Sequence, residues 1–481
     1  MGRPPPYKTA FRKADTVNFI STRGQAAPSS FSDVLLAGLA PDGGLYLPQT
    51  WPQLAAAEIA AFKDARYQDV AFAILSRFTA ESFSDGELRA AVEAAYADVD
   101  APAIAPLSQI GAGEYLLELF HGPTLAFKDI AMQILGQLFA KALAKRGGRA
   151  TIVAATSGDT GSAAIAALGG LPNIDVFVMH PKGRVSDVQR LQMTTAAQAN
   201  VHNIALEGTF DDAQGIVKDL FADIEFARQI GLTAVNSINF ARIAAQCVYY
   251  FTATAQLGRP ATFVVPTGNF GDIFAGEAAA RMGLDVARLV IATNANDIMA
   301  RALNDGVYAA GNAHATLSPS MDIQVASNFE RALFEASGRD AAWTAAAMGD
   351  FARSRRLELP RAVLESLRAR SSAFASDDGE PRAAIAAVHQ QTGRIIDPHT
   401  AVGVAAARRM GQNGRSGGPS PVVILSTAHP AKFPDAVAQA IGAPPPEPVR
   451  LSGLKNLPER LDVLGRDTAL IKRFISSRLT A

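Results

Sequence analysis

Apolar residues recur at helical spacing through the first hundred positions of the chain. Between residues 31 and 98 they lie three or four positions apart, and a turn at Pro41-Asp42-Gly43-Gly44 interrupts them. The periodic positions include Val34, Leu35, Leu39, Ala71, Phe72, Ile74, Leu75 and Phe78. This spacing predicts a mostly helical N-terminal domain over residues 17–100.

Short β-rich runs alternate with helical stretches in the middle of the chain. The runs cover residues 151–155, 176–179, 261–265, 289–293 and 422–425. The alternation predicts an α/β fold with a largely parallel sheet. Three of the runs end in glycine or small polar residues before a helical stretch, and ligands of open α/β sheets bind at such carboxyl ends.

One long segment departs from this alternation. Residues 313–387 are rich in alanine and arginine and predict a helical insertion. Residues 411–421 and 442–448 are loops by composition. At the N-terminus, residues 1–16 lack the apolar run of a secretory signal, and prolines at positions 4–6 disfavour an amphipathic helix. We expect a flexible tail there.

The charge balance excludes several classes of partner. Lys plus Arg number 45 and Asp plus Glu number 45, so no net field would draw the chain to nucleic acid or to an anionic membrane. No stretch of about 20 apolar residues predicts a membrane span. The single cysteine, Cys247, cannot form an internal disulfide, and no cysteine and histidine cluster has zinc-ligand spacing. We expect a cytoplasmic protein without a metal site.

A candidate amine nucleophile precedes a predicted helix. The segment from His121 to Asp129 places Lys128 at or just before the first turn of a helix that reaches Leu143. The positive end of a helix dipole disfavours an ammonium ion, and a lowered pKa would make Lys128 a nucleophile near neutral pH. The alternative is a partly exposed lysine that pairs with Asp129.

A candidate phosphate site follows the run at residues 261–265. Residues 266–272 read Pro-Thr-Gly-Asn-Phe-Gly-Asp and precede a helix, so backbone N–H groups at its start would bind phosphate without basic side chains. The alternative is a tight turn that binds nothing. A lysine that forms a Schiff base and a phosphate-binding turn are the two attachments that pyridoxal phosphate needs.

Several motifs occur together in one order. They begin at Ser21, Pro41, Phe127, Ala155, Asn236, Pro266 and Ser426, and read Ser-Thr-Arg-Gly, Pro-Asp-Gly-Gly-Leu-Tyr, Phe-Lys-Asp, Ala-Thr-Ser-Gly-Asp-Thr-Gly, Asn-Ser-Ile-Asn-Phe-Ala-Arg, Pro-Thr-Gly-Asn-Phe-Gly-Asp and Ser-Thr-Ala-His-Pro-Ala-Lys-Phe. This set resembles the longer branch of the threonine synthase family and covers about residues 19–433.

The resemblance implies the tryptophan synthase β-like fold, which is fold type II among pyridoxal-phosphate enzymes. It implies two α/β lobes beside the N-terminal domain. We expect residues 101–145 and 235–481 to form the larger, cofactor-binding lobe and residues 146–234 the smaller one. It further implies that O-phospho-L-homoserine and water give L-threonine and phosphate, the last step of threonine biosynthesis.

The resemblance also assigns roles to residues. Lys128 would carry the cofactor and move protons at Cα and Cβ. Gly268, Asn269, Phe270, Gly271 and Asp272 match the cofactor-binding loop, and we expect the Asp272 side chain to cap the following helix rather than to contact phosphate, because two anions repel. Thr427 matches the hydroxyl residue near the pyridine nitrogen.

Five further residues match positions that contact the substrate carboxylate or phosphate in this family, namely Ser157, Thr160, Asn236, Ser237 and Arg242. The planar fork of an arginine suits phosphate, although a structural ion pair on a helix is the alternative for Arg242.

Some features remain open at this stage. Asp159 follows Ser-Gly where the wider fold-type family commonly has asparagine, which puts in doubt a direct contact with the 3-oxygen of the cofactor. His121, His399 and His429 flank motifs, but Asp397-Pro398-His399 reads as a helix start, so we assign no general base among them.

The motifs also leave alternatives for function. Another fold-type-II lyase or dehydratase, or a binding protein that makes no threonine, would share Lys128. The sequence leaves open whether the chain is a monomer or a homodimer.

Overall fold

The computed structural model describes residues 17–412 and 420–479. The predicted tail, residues 1–16, lies outside the described residues, as does most of the predicted loop at 411–421. Within the described residues, no helix is long and apolar enough to cross a membrane.

The N-terminal part is a small helical unit with one short pair of strands. The pair comprises β1 (Phe19–Ser21) and β2 (Tyr46–Pro48), which are antiparallel. The helices are α1 (Phe31–Ala37), α2 (Ala56–Ala61), α3 (Tyr67–Thr79) and α4 (Asp85–Ala95). Helices α1 and α4 begin with capping boxes at Ser30 and Ser84, which satisfy N–H groups of the first turn. The predicted helical character of residues 17–100 is confirmed.

A six-stranded sheet lies at the centre of the chain. Its order is β13 (Ser371–Ala375), β10 (Val286–Thr293), β9 (Ala261–Pro266), β14 (Val422–Ser426), β4 (Glu114–Glu118) and β3 (Leu107–Gly111). Neighbours are parallel except for the edge pair β3 and β4, which is antiparallel. The predicted runs in β9, β10 and β14 are confirmed.

A five-stranded parallel sheet forms the second α/β unit. Its order is β15 (Asp462–Leu464), β7 (Val201–Leu206), β6 (Ile174–Pro181), β5 (Ala150–Ala155) and β8 (Leu232–Thr233). Because β15 pairs with β7, the expected placement of all residues 235–481 with the larger sheet was wrong at the C-terminus. The strand is only three residues long, so its pattern of apolar and polar residues does not indicate which sheet it joins.

Helices cover both sheets. They are α5 (Lys128–Arg146), α6 (Asp159–Leu168), α7 (Asp187–Thr194), α8 (Phe210–Ala222), α9 (Ile224–Ile230), α10 (Phe240–Leu257), α11 (Gly271–Arg281), α12 (Ile298–Asp305), α17 (Pro398–Gln412), α18 (Pro434–Ile441) and α19 (Thr468–Arg478). Helix α10 is buried along most of its length and joins the N-terminal unit to both sheets through one continuous apolar core.

The predicted helical insertion is more mixed than expected. Residues 313–387 contain α13 (Phe329–Ala336), α14 (Ala341–Ser354), α15 (Arg361–Arg370) and the start of α16 (Gly379–Thr392). They also contain β12 (Arg356–Glu358), which pairs with β11 (Val307–Ala309), and the sheet-edge strand β13. The run Ser-Ser-Ala-Phe-Ala of β13 is short and has no alternation of apolar and polar residues. It is a strand because it pairs in parallel with β10.

Candidate functional site

Loops at the carboxyl ends of β5, β9 and β14 line one cavity of about 900 Å³. All twelve residues that the sequence assigned to cofactor or substrate line it. They are Lys128, Ser157, Thr160, Asn236, Ser237, Arg242, Gly268, Asn269, Phe270, Gly271, Asp272 and Thr427. Motifs spread over 300 positions of sequence therefore meet at one place, as the carboxyl ends of parallel strands do.

Lys128 is the first residue of α5 and is held against the end of β14. The N–H of Phe127 donates to the carbonyl of Thr427 at 2.8 Å, and Ala126 forms an isolated antiparallel bridge with Ala428. The strand end thereby fixes the backbone on the N-terminal side of Lys128. The Lys128 Nζ atom lies 3.4 Å from Oδ2 of Asp159.

Burial is the main cause that lowers the pKa of Lys128. Asp159 opposes that shift, while Lys432 and Arg242 lower the pKa further. The pKa of Lys128 is thus lowered, in the direction that the sequence predicted. The alternative partner, Asp129, is also excluded, because its carboxylate accepts hydrogen bonds from the Thr124 N–H at 2.8 Å and from the Thr124 hydroxyl at 2.6 Å.

The loop after β9 presents unpaired backbone donors to the cavity. Within the described ranges, no protein atom accepts a hydrogen bond from the N–H groups of residues 268–272. Phe270 has φ 63° and ψ 7°, a left-handed conformation that turns the chain into α11. Gly268 lies under Ser320, whose carbonyl oxygen would be 3.1 Å from a Cβ added there. The loop is suited to an anion at the N-terminus of α11.

Asp272 does not cap α11, so that expectation was wrong. Phe270 occupies the N-cap position without a side-chain hydrogen bond, and Asp272 lies inside the first turn. Its Oδ1 accepts hydrogen bonds from the hydroxyls of Tyr249 at 2.5 Å and Tyr250 at 3.1 Å. Burial raises the pKa of Asp272 to about 6, although both tyrosine bonds and Arg242 oppose that shift. The Asp272 side chain therefore binds two tyrosines of α10 instead of the N–H groups of α11.

Arg242 is a buried cation on α10. Its Nε has no hydrogen-bond partner among the described residues, and no carboxylate in that part of the chain forms an ion pair with it. Burial lowers its pKa to about 10. The alternative of a structural ion pair is therefore wrong, and the guanidinium is free to bind an anion in the cavity.

The remaining predicted contacts are hydroxyl and amide groups at the cavity wall. Ser157 and Thr160 lie before and within the first turn of α6, and both are half-buried. Asn236 is exposed and Ser237 is half-buried. Thr427 is buried at the end of β14, and its N–H donates to the Thr400 hydroxyl at 3.3 Å.

The sequence did not identify Lys432, although it lies in the quoted Ala-His-Pro-Ala-Lys-Phe motif. Its Nζ is 2.8 Å from Oδ1 of Asp159 and donates to the Thr124 carbonyl at 2.7 Å. The sequence feature that could have identified Lys432 is its position between two apolar residues, because a lysine is rarely buried without a partner. Asp159 also accepts hydrogen bonds from Gln189 at 2.9 Å and from Ser320 at 3.2 Å.

The three flanking histidines all have structural partners. Asp397 caps α17, as the sequence predicted, because its side chain accepts from the N–H groups of His399 at 2.9 Å and Thr400 at 3.1 Å. The His399 ring contacts Asp397 through Nδ1 at 2.7 Å and accepts from the Ser320 N–H at 3.1 Å through Nε2. His121 pairs with Glu118 at 2.8 Å, and His429 accepts from the Ala431 N–H at 3.1 Å. Only His399 of these three lines the cavity.

The site fits pyridoxal phosphate by its own chemistry. Lys128 supplies a buried amine with a lowered pKa, residues 268–272 supply unpaired N–H groups for a phosphate, and Thr427 supplies a hydroxyl that lines the same cavity. The described ranges contain no group of three or more histidine, cysteine or acidic residues that would hold a metal ion.

Three family models match consecutive parts of the chain. The model of the threonine synthase N terminus matches residues 18–96, that of pyridoxal-phosphate dependent enzymes matches residues 99–359, and that of the threonine synthase C-terminal part matches residues 400–475.

Known threonine synthases are similar to this chain over nearly its full length. A threonine synthase of Pseudomonas aeruginosa is 48% identical over 464 residues, which cover 96% of this chain and 98% of that protein. A threonine synthase of Saccharomyces cerevisiae is 38% identical over 95% of this chain and 97% of its own.

Solved structures show the same fold. A crystal structure of a threonine synthase with bound pyridoxal phosphate from Brucella melitensis has a TM-score of 0.93 and 48% identity, covering 97% of this chain and all of that one. The yeast threonine synthase structure has a TM-score of 0.90 and 36% identity, covering 96% of this chain and 99% of that one. This chain belongs to the threonine synthase family of pyridoxal-phosphate-dependent enzymes.

Proposed function

We propose that this enzyme converts O-phospho-L-homoserine and water to L-threonine and phosphate. The observation that carries the proposal is a second anion site beside Lys128. The N–H groups of residues 268–272 suffice for the phosphate of the cofactor, which leaves the unpaired guanidinium of Arg242 for a second anion. A substrate with both a carboxylate and a phosphate would use such a site.

Lys128 is the proton carrier in this proposal. Burial lowers its pKa, so a larger share of its amine is neutral near pH 7 and able to accept a proton. When bound, the cofactor supplies the electron sink that makes carbon-bound protons of the substrate acidic. Lys128 takes the Cα proton and then moves a proton at Cβ, which requires that its amine stay within reach of both carbons.

Departure of the phosphate is assisted by donors in the cavity wall. Charge accumulates on the leaving oxygen as the Cγ–O bond breaks, and Arg242 with the hydroxyls of Ser157, Thr160 and Ser237 stabilises it. Asn236 orients the substrate from the exposed side of the cavity. The proton removed from Cβ is returned at Cγ, which becomes the methyl group of threonine. Water then adds its hydroxyl at Cβ, Cα regains a proton, and the remaining proton of the water leaves with the phosphate.

Thr427 positions the ring of the cofactor. A hydroxyl donates to or accepts from the ring nitrogen and, unlike a carboxylate, does not require that nitrogen to be protonated. We place Gly268, Asn269, Phe270 and Gly271 at the phosphate of the cofactor through their backbone N–H groups. The backbone N–H of Asp272 belongs to the same set. Its side chain acts indirectly, because its bonds to Tyr249 and Tyr250 attach the first turn of α11 to α10.

We further propose that the enzyme works in the cytoplasm. Cys247 is the single cysteine of the chain and is buried, so no disulfide would protect the fold in an oxidising compartment. The balanced charge supports a small-molecule substrate rather than a nucleic-acid or membrane partner.

The test is to incubate the purified, cofactor-loaded enzyme with O-phosphohomoserine and measure phosphate and threonine together. We expect equal amounts of both from the natural protein and none from Lys128→Ala. Lys145→Ala, on the exposed last turn of the same helix, serves as the matched control and should keep its activity. Phosphate with 2-oxobutyrate would instead indicate a lyase of another type, and no turnover would indicate a binding protein.

A further inference from the structure

A buried ion pair lies directly behind the Lys128 amine. Lys432 is fully buried and Asp159 is 4% exposed, and their Nζ and Oδ1 atoms are 2.8 Å apart. The other oxygen of Asp159, Oδ2, faces Lys128 Nζ at 3.4 Å. One carboxylate therefore lies between the amino groups of two lysines.

Three separate elements bring these groups together. Asp159 is the first residue of α6, Lys128 the first residue of α5, and Lys432 ends a short 3₁₀ helix over Pro430–Lys432. The amide of Gln189 and the hydroxyl of Ser320 donate to the two oxygens of Asp159. Each oxygen of the carboxylate thus has two partners, Lys432 and Gln189 at Oδ1 and Lys128 and Ser320 at Oδ2.

Other charges surround this cluster. Arg242 on α10 and Asp272 on α11 line the same cavity, and the charge of Lys432 also acts on Asp129 of α5. Burial would raise the pKa of Asp159, but Lys432, Lys128 and the hydrogen bonds outweigh burial and hold it well below the ordinary value. Asp159 is therefore ionised throughout the neutral range.

The electrostatic consequence depends on both members of the pair. A carboxylate alone beside a buried amine would strongly favour the ammonium form, which cannot accept a proton. The positive charge of Lys432, on the far side of Asp159, cancels much of that effect. Asp159 can then hold the Lys128 nitrogen in place by a hydrogen bond while the amine remains able to lose its proton.

We propose that Lys432 is a positioning residue that, through Asp159, sets the protonation of the Lys128 nitrogen. The role rests on the proposed function only in that Lys128 is taken to carry the cofactor and to move protons. Lys432 itself does not touch the reacting atoms, because its ammonium is occupied by Asp159 and by the Thr124 carbonyl.

The test is a pH titration of the cofactor-loaded protein without substrate. The visible absorbance of the bound cofactor reports protonation of the Lys128 nitrogen, and its midpoint is compared among variants. Lys432→Met should raise the midpoint by about one pH unit or more, because Asp159 loses its balancing cation. Asp159→Asn should lower it, because Lys432 and Arg242 then act unopposed.

Two further variants sharpen the comparison. The double variant Asp159→Asn with Lys432→Met should return the midpoint close to that of the natural protein, because both charges are removed together. Lys432→Arg keeps the charge and should also remain close to it. If Lys432 had only a structural role, Lys432→Met would lower the stability of the protein. It would not restore the midpoint that Asp159→Asn lowers.

The proposal is overturned if Lys432→Met leaves the midpoint unchanged or moves it in the same direction as Asp159→Asn. A variant that does not load the cofactor is tested instead by the pH dependence of reductive methylation of Lys128, where the same signs are expected. Neither measurement uses substrate, so the two proposals are tested separately. An enzyme that makes no threonine would not contradict the role of Lys432, and an unchanged midpoint would not contradict threonine production.

Discussion

At the residue scale, Arg242 is the group whose surroundings most clearly indicate a ligand. A buried guanidinium that lacks a protein acceptor carries a desolvation cost that an anionic ligand would offset. Residues kept for binding in this way reduce the stability of the free protein, because the favourable contact forms only with the ligand.

Arg242→Met should therefore separate stability from function. We expect kcat/KM for O-phosphohomoserine to fall by at least about 10- to 100-fold, because a hydrogen bond to a charged group is lost. The unfolding temperature of the cofactor-free protein should stay equal or rise. A large loss of stability with normal kinetics would show that Arg242 is a structural residue.

Asp272 predicts a specific pH dependence of stability. Its pKa is raised from 3.8 to about 6, so the folded state binds more protons than the unfolded state between those values. The contribution of Asp272 to the free energy of unfolding therefore falls as pH rises from about 4 to about 6, by up to about 3 kcal/mol.

Asp272→Asn removes this titration. We measure urea unfolding of the cofactor-free protein between about pH 4 and about pH 7. The variant should gain stability relative to the natural protein as pH rises, because it lacks the Asp272 carboxyl, whose ionisation is unfavourable in the folded state. A stability difference that is constant over this range would contradict the raised pKa.

Individual residues were predictable where a motif carried the chemistry. The order of the motifs predicted that Lys128, Arg242 and the loop at residues 268–272 lie together, and all of them line the cavity. Lys432 was missed, since its role depends on a contact with Asp159 across 273 positions of sequence. The capping role given to Asp272 was wrong because the tyrosines of α10 that bind it lie more than twenty residues upstream.

At the scale of elements, the turn from β9 into α11 combines a buried strand, a left-handed residue and a helix start. Its N–H groups remain unpaired because the residues before a first helical turn have no carbonyl partner within the helix. A short 3₁₀ helix over Pro319–Met321 lies against Gly268 and leaves little room for a side chain there.

Gly268→Ala tests this arrangement. The added Cβ would lie 3.1 Å from the Ser320 carbonyl oxygen and 3.6 Å from the Met321 Cα, so the loop must move. We expect cofactor affinity to weaken by about tenfold or more, measured by absorbance titration, because a displacement of the N–H groups loses hydrogen bonds to a charged group.

Gly86→Ala is the matched control for that experiment. Gly86 lies in α4, and an added Cβ would meet nothing within 4 Å. This change should leave cofactor affinity unaltered and raise stability by roughly 0.5–1 kcal/mol, because alanine favours a helix. Equal cofactor affinity in both alanine variants would mean that the turn does not hold the phosphate.

Elements were predictable where their apolar runs were long. The runs of β5, β6, β9, β10 and β14 are rich in buried β-branched or other apolar residues and were recognised. The strands β3, β8, β13 and β15 have few buried residues, and each becomes a strand only by pairing with a neighbour in its sheet. Local sequence does not contain that information.

At the scale of the whole molecule, the C-terminal segment returns to the smaller sheet. After α18 the chain crosses to β15, and α19 packs Ile471 and Ile475 against an apolar cluster that includes Phe177, Ile204 and Leu220. The other face of this sheet continues into the main core through α6 and α5. The last strand and helix thus complete the smaller unit.

Ile475→Ala should lower the free energy of unfolding by about 2–5 kcal/mol, because it leaves a cavity in a well-packed cluster. The residue is fully buried and lies outside the catalytic cavity, so kcat of the remaining folded enzyme should be nearly unchanged. Ser476→Ala, exposed on the same helix, is the control and should change neither quantity. A loss of kcat without a loss of stability would indicate a catalytic role for this segment.

The central claim is that the enzyme expels phosphate from Cγ and adds water at Cβ, and turnover in ¹⁸O-labelled water tests it most directly. We predict one ¹⁸O atom in the hydroxyl of threonine and none in the released phosphate, because the Cγ–O bond breaks and all four oxygens leave with phosphorus. Labelled phosphate together with unlabelled homoserine would show cleavage at phosphorus instead, and would contradict the account.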